Sequence, residues 1–376
     1  MFKFDLLRFS GFDDEWKAVK LNKVGDIVTG ATPPTKNKSN FTNSGYLWVT
    51  PGDIDSKKFV SKTERNLSEE GLKNGRKLEP YSILVTCIGA TIGKICMINE
   101  VGSCNQQLNA ISPHENFYPD FIYYNIQKTA KNLILLAGNT ATPILNKKSF
   151  GNLSYNFPSF DEQKKIALFI DKIDQKIELL EQKYQEYQDF KKYLMQQIFA
   201  QKLRFDFDDE WKQYKLKDLL TVKSSSISIN QLEDNTGEYP LYGASGFLKN
   251  IDFCEMETDY ISIVKDGSGV GNLSYHEKNS SIVNTSQYLL PKKDFNIHFL
   301  YYQLQTLNLL KYVNGSSIPH IYFKDYCIEK VTVPSLPEQQ KIGKLFVDTD
   351  KTIENIDNCI QVTQEFKKGL LQQMFV

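Results

Sequence analysis

The chain repeats itself along its length, and that repetition limits its possible folds more than any compositional feature. FDDEWK occurs at residues 12–17 and again at 207–212. Leu7-Arg8-Phe9 precedes the first copy and Leu203-Arg204-Phe205 the second, and each copy is followed by a Lys-Leu pair (Lys20-Leu21, Lys215-Leu216). A longer repeat holds a constant offset of 176, from Pro158-Ser-Phe-Asp-Glu-Gln163 to Pro334-Ser-Leu-Pro-Glu-Gln339. At that offset Ile166 matches Ile342, Asp174 matches Asp350, and Phe190-Lys191-Lys192 matches Phe366-Lys367-Lys368. The 376 residues therefore read as two tandem half-molecules, each a globular region followed by a helical one.

The helical regions carry the apolar spacing of a coiled-coil seam. Ile166, Ile170, Ile173, Ile177, Leu180, Tyr184 and Tyr187 alternate by four and three, and Leu194 and Ile198 continue the series. Ile342, Phe346, Ile353, Ile356, Ile360, Leu370 and Met374 occupy the matching places. A proline and an acidic first turn open each helix, as the helix dipole favours. Two helices of about 40 residues, each roughly 60 Å long, are expected to pair with each other as an antiparallel coiled coil. The expected segments are 1–157 and 201–333 as globular domains, with 158–200 and 334–376 as the central and C-terminal long helices. The coarse fold is α+β: two α/β domains in tandem, separated by the helices, with pseudo-two-fold symmetry.

Within the globular regions, 81–86 and 92–98 read as strands around a Gly-Ala-Thr turn, and 260–264 and 270–275 as their counterparts. Residues 117–136 and 295–310 read as amphipathic helices. The apolar stretch 81–98 is broken by Gly89, Gly93 and Lys94, unlike a membrane span. Six scattered cysteines without a CxxC pair suit free thiols, and the N-terminus lacks a signal-peptide core, so the expected location is the cytoplasm, away from membranes.

Enzymatic motifs fail on spacing. Gly89–Lys94 has three residues between its glycines where a phosphate loop needs four, and isoleucine follows the lysine. Gly267-Ser-Gly-Val-Gly271 lacks dinucleotide-fingerprint spacing. Asp55-Ser-Lys57 has no suitably placed upstream acid for a nuclease, Thr32-Pro-Pro-Thr35 lacks the amide and ring of an amino-methyltransferase, and four isolated histidines suggest no metal site. No catalytic residue and no metal ligand is assigned.

What remains is a surface suited to nucleic acid. The chain has 45 basic and 45 acidic residues; region 1–157 carries 19 and 14, whereas 201–333 carries 14 and 17. General charge therefore cannot explain DNA binding by the second region, and recognition must lie in local groups. Candidates gather at turns: Thr91 and Lys94; Asn105, Gln106 and Gln107; Lys265, Ser268 and Asn272; Asn284, Ser286 and Gln287, with His320 in a late loop. Amides can bond adenine bidentately and lysine can bond guanine.

These features together closely resemble the specificity subunits of type I restriction-modification systems, over essentially the whole chain. The helix openings Pro158…Glu162-Gln163…Ile166 and Pro334…Glu338-Gln339…Ile342 resemble the family's P-x-x-x-E-Q-x-x-I. The helix ends, from Lys191 and Lys367 to Phe199 and Phe375, resemble its K-x-x-L-x-Q-x-x-F. The stretches 30–33, 45–50 and 237–246 are similar to openings of the family's target-recognition domains, and 138–143 and 315–320 are equivalent loops. The resemblance adds Lys36, Thr140, Tyr242 and Ser316 to the DNA-contact candidates. It implies a non-catalytic subunit reading a split, asymmetric site in double-stranded DNA, one half-site per domain. It further implies docking of two modification (methyltransferase) subunits, and through them restriction subunits. Glu162, Gln163, Lys191, Lys192, Gln197 and their repeats Glu338, Gln339, Lys367, Lys368 and Gln373 are the docking candidates, read as outward polar groups. No cofactor is expected on this chain; S-adenosylmethionine, ATP and Mg2+ would belong to the partners. Two rival readings are a scaffold without DNA specificity, which sequence-specific footprinting would exclude, and a divergent methyltransferase or nuclease, which would itself bind S-adenosylmethionine.

Overall fold

The computed structural model describes residues 7–138, 142–232, 237–315 and 318–375. Contacts divide the chain into two units, one of residues 1–179 with 359–376, the other of 180–358. Packing thus cuts through both long helices, whereas the sequence suggests four consecutive segments.

In the first unit a four-stranded antiparallel sheet runs in the order Gly25–Thr29, Leu108–Pro113, Ile83–Thr86, Ile95–Met97. In the second unit Leu220–Ser224, Ser286–Pro291, Tyr260–Val264 and Leu273–His276 repeat that order. Behind the sheets lie the helices Pro119–Thr129 and Ile297–Gln305, shorter than their sequence pattern suggests. The first continues directly into the 3-10 segment Ala130–Leu136, and the second is followed, after three residues, by Leu309–Tyr312. The units differ in a second, smaller sheet. It contains Phe41–Thr42, Asn66–Leu67, Tyr46–Val49 and Gly102–Cys104 in the first unit, and Gly246–Ile251, Tyr239–Gly243 and Ser281–Ile282 in the second.

The long helices span Phe160–Phe199 and Leu336–Met374. The first has no internal glycine or proline and is rich in Lys, Glu, Gln, Ile and Leu, all good helix formers or seam residues. In the first unit the opening of the first helix (Ile166, Ile170, Ile173, Ile177) shares one core with the end of the second (Leu370, Leu371, Met374, Phe375). In the second unit the end of the first helix (Leu194, Ile198) shares a core with the opening of the second (Ile342, Phe346). The helices therefore run antiparallel. Buried Phe346 stacks on Phe199, with ring centroids 5.8 Å apart and planes 13° from parallel.

Both repeated sequence motifs meet in one structure. The last residue of FDDEWK begins a strand, Lys17–Lys20 or Lys212–Lys215, that pairs antiparallel with the strand leading into the long helix, Ser154–Phe157 or Lys330–Val333. The arginine of the lead-in forks onto the glutamate of the helix opening. Arg8 Nε and Nη2 donate to Glu162 Oε1 and Oε2 at 2.9 and 2.7 Å, and Arg204 donates likewise to Glu338 at 3.1 and 2.8 Å. The same Nη2 groups also donate to carbonyls within FDDEWK, of Asp14 at 3.0 Å and Asp209 at 2.7 Å. Lys165 stands over the Phe9 and Phe12 rings, and Lys341 over those of Phe205 and Phe207. In the first unit Leu7 N–H donates to the Gln373 carbonyl at 3.0 Å; in the second, Leu203 N–H donates to the Gln197 carbonyl at 3.2 Å.

This arrangement corrects the reading of Glu162, Gln163, Glu338 and Gln339 as outward groups, since all four are buried. Gln163 Oε1 accepts from Tyr118 N–H at 2.9 Å while its amide donates to the Pro158 carbonyl at 3.0 Å. Gln339 does the same with Asn296 and Pro334, at 2.9 and 3.0 Å. Neither carboxylate can lose its arginine without leaving a buried charge, which is strongly destabilising. Glu338 has a second donor, Trp211 Nε1 at 3.2 Å, whereas Trp16 Nε1 is buried with no partner. Arg8→Met and Arg204→Met should therefore both lower the melting temperature by several degrees, with Arg8→Met falling further. Differential scanning calorimetry checks the order; equal or reversed losses would contradict it.

Candidate nucleic-acid interface

Most of the flagged turns of each unit gather at one end of its four-stranded sheet. In the first unit the residues after Ile83–Thr86 form a spine. Cys87 N–H donates to the Gln107 carbonyl at 2.8 Å, Leu145 N–H to the Cys87 carbonyl at 2.8 Å, and Gly89 N–H to the Pro143 carbonyl at 2.9 Å. In the second unit Lys265 N–H donates to Thr285, Ile321 N–H to Lys265 and Gly267 N–H to Pro319, each at 2.9 Å. The glycine turn, the Asn/Gln turn and the late proline loop thus form one cluster per unit. The turn requires its glycines. Gly93 and Gly271 have φ of 94° and 86°, and a Cβ on Gly93 would lie 2.2 Å from the Ala130 carbonyl oxygen.

Within the clusters the candidates separate by exposure. Thr91, Gln106, Lys36, Ser268, Asn272 and Asn284 are exposed. Asn105 and Ser286 are buried, which corrects their reading as base contacts. Asn105 Oδ1 accepts from Gln107 N–H at 3.0 Å, and its amide donates to Gln107 Oε1 at 3.1 Å, so both side chains brace the turn from within. Exposed Gln106 accepts a hydrogen bond from Thr32, bringing the 30–33 stretch against this loop. Lys94 is also turned to structural use, since its ammonium donates to the carbonyls of Pro51 at 3.0 Å and Ile54 at 2.9 Å. Half-buried Lys265 faces Asp266 at 3.9 Å, and half-buried Gln287 reaches Ser224 only at 3.5 Å. Tyr242 packs on the His276 ring, 4.4 Å between centroids, outside the turn cluster. Burial pushes the His276 imidazole down to about 4, so it is neutral and takes no part in holding phosphate. His320 is half-buried, tilted over Tyr322 at 5.1 Å, with its backbone paired to Asn314. Thr140 and Ser316 lie outside the described residues.

Sequence reading missed the apolar component. Leu135 (78% exposed), Leu136 and Ile144 flank the first cluster, and Leu310, Ile318 (67%) and Tyr322 the second. Their signal was present, as aliphatics beside glycine loops, but an apolar run before a loop reads equally well as the end of a buried helix. Exposed amides, hydroxyls and aliphatics on one loop cluster can bond base edges and pack on thymine methyl groups. Among the described residues, no group of three or more His, Cys, Asp and Glu side chains could hold a metal ion. Among the described residues, no helix is long and apolar enough to cross a membrane.

The family model described as "Type I restriction modification DNA specificity domain" matches residues 13–188 and 208–364. The chain belongs to this family. Each match runs from FDDEWK through a loop cluster into a long helix, so the chain carries two type I DNA specificity domains in tandem. The type I restriction enzyme MjaIX specificity subunit of Methanocaldococcus jannaschii is 21% identical over 96% of this chain and 92% of its own length. The HindI specificity subunit of Haemophilus influenzae is 30% identical over 42% of this chain and 36% of its own. In fold, the chain is similar to the crystal structure of a type I restriction-modification S subunit from M. genitalium. That match has a TM-score of 0.69 at 19% identity and covers 99% of this chain and 98% of the other. Members of the family recognise DNA rather than catalyse, in complexes with methyltransferase and restriction subunits.

The docking candidates divide in the same way. Lys192 and Lys368 are exposed, as are the repeated Phe190 (50%) and Phe366 (56%) beside them. Gln197 and Gln373 are half-buried. Lys191 and Lys367 point inward, into ion pairs with Asp350 and Asp174, both 2.6 Å long. Reversing the charge at Lys191 or Lys367 would therefore break an internal ion pair, and only Lys192 and Lys368 remain outward lysines of these motifs.

Proposed function

We propose that the chain is the DNA-reading and scaffolding subunit of a type I restriction-modification complex in the cytoplasm, each unit reading one half of a split, asymmetric site. The observation that carries this is the duplicated loop cluster: the same hydrogen-bonded frame occurs in both units, while the exposed side chains on it differ. A frame preserved with changed contacts suits two readers of different half-sites. Gln106, Asn272 and Asn284 supply amides for adenine edges, and the flanking aliphatics supply surfaces for thymine methyls. The paired helices set the length of the unspecified spacer. Two modification subunits dock at the equivalent surfaces around Phe190-Lys192 and Phe366-Lys368, since like surfaces accept like partners. S-adenosylmethionine, ATP and Mg2+ belong to those partners and to the restriction subunits.

The test is reconstitution with modification subunits, followed by native mass spectrometry and methylation mapping on random DNA. The expected result is two modification subunits per chain and one bipartite methylated motif. Methylation without sequence preference, or S-adenosylmethionine binding by this chain alone, would overturn the reading.

A further inference from the structure

The four-and-three count along each long helix lands once on a charged residue, a lysine. In the first helix it is Lys191, between Tyr187 and Leu194; in the second it is Lys367, between Thr363 and Leu370. Each lysine sits where a coiled coil would place an apolar knob, and each is kept largely from water, with side-chain exposures of 19% and 15%. Each binds an aspartate of the other helix, Lys191 to Asp350 and Lys367 to Asp174. The same aspartates accept a phenol from the globular domain: Tyr302 donates to Asp350 at 2.7 Å and Tyr124 to Asp174 at 2.8 Å. The lysines also stand over those tyrosine rings, at 5.2 and 5.3 Å. Each unit therefore has a junction where both long helices and the domain helix meet through a lysine, an aspartate and a tyrosine; in the first unit Tyr124 also donates to Asp171 at 3.3 Å, and Lys58 bridges Asp171 to Asp120.

An apolar seam tolerates sliding because the partner helix offers similar holes one heptad away. A charged residue in the seam does not, because any other register leaves a half-buried ammonium without its carboxylate. The tyrosine extends the constraint from helix register to the seat of the domain. We propose that the two Lys–Asp–Tyr junctions are positioning residues for recognition, holding each domain at one seat on the helix pair and so fixing the one spacer length the complex accepts. This rests on the reading of the chain as a reader of split sites.

The test uses the full complex with modification subunits and maps methylation on DNA libraries that keep both half-sites and vary the spacer. Wild type should methylate one spacer length. The variant Tyr124→Phe, Lys367→Met, Tyr302→Phe, Lys191→Met should methylate spacers one base pair longer and shorter roughly tenfold better than wild type, with half-site bases unchanged. A charge exchange at both junctions (Lys191→Asp with Asp350→Lys, Lys367→Asp with Asp174→Lys) should restore the single spacer. If the fourfold variant does not fold, Tyr124→Phe with Tyr302→Phe, which removes only two hydroxyls, carries the same readout. Folded variants as selective as wild type, or a charge exchange no more selective than the fourfold variant, would overturn the proposal. A wild-type complex with no preferred spacer would instead overturn the split-site reading.

Discussion

Complexes carrying four extra residues in each long helix should methylate sites whose spacer is one to two base pairs longer, with both half-sites unchanged. The additions belong between the two ion pairs, after Tyr184 in the first helix and after Asp357 in the second, so that neither Lys–Asp contact is disturbed. Four residues add about 6 Å of helix, and B-DNA rises about 3.4 Å per base pair. Four residues also turn a helix by roughly 40° beyond a full turn. One base pair turns DNA by about 34°, at roughly 10.5 pairs per turn. Rotation therefore favours one extra pair and length favours nearly two, and bending or twisting of the DNA absorbs the difference. Methylation mapped on spacer libraries decides it, and a complex that kept its original spacer would show that the helices do not measure distance.

Replacing residues 22–150 with the corresponding region of another type I specificity subunit should exchange one half-site completely and leave the other untouched. The boundaries matter for a structural reason. Arg8, FDDEWK and the ribbon of Lys17–Lys20 with Ser154–Phe157 clamp the long helix, and they stay with the recipient. The transplanted part carries the four-stranded sheet, the smaller sheet and the loop cluster as one body. An exchange that changed both half-sites, or neither, would show that the domains do not read independently.

The sequence made the repeats and the apolar seams legible because both depend on short periods that a single chain displays. It did not show why the motifs repeat. Arg8 and Glu162 are 154 residues apart, and nothing local indicates that a polar helix opening will be buried beneath a strap from the preceding segment. Glu162 and Gln163 accordingly looked like surface residues. Lys191 and Lys367 were hidden for the opposite reason: a seam sought by apolar residues skips a lysine, although counting by four and three lands on both. In the loop clusters the glycines and amides were visible, but the burial of Asn105 and Ser286 follows from how each turn folds over its own backbone. The exposed aliphatics beside them could not be distinguished by pattern from an ordinary helix end.

The strap joint is built twice with different connectivity. Leu203 bonds Gln197 across a short continuous stretch of backbone, while Leu7 bonds Gln373 between segments from opposite ends of the numbering. The two versions share the arginine fork, the stacked lysine and the ribbon, so the joint does not depend on an unbroken peptide running through it. Covalent continuity near residue 201 then raises the effective concentration of the two segments without supplying the contacts that join them. A gene that interrupted the chain there, or joined its modules in another order, would still specify the same joint, because side-chain complementarity carries the assembly instructions.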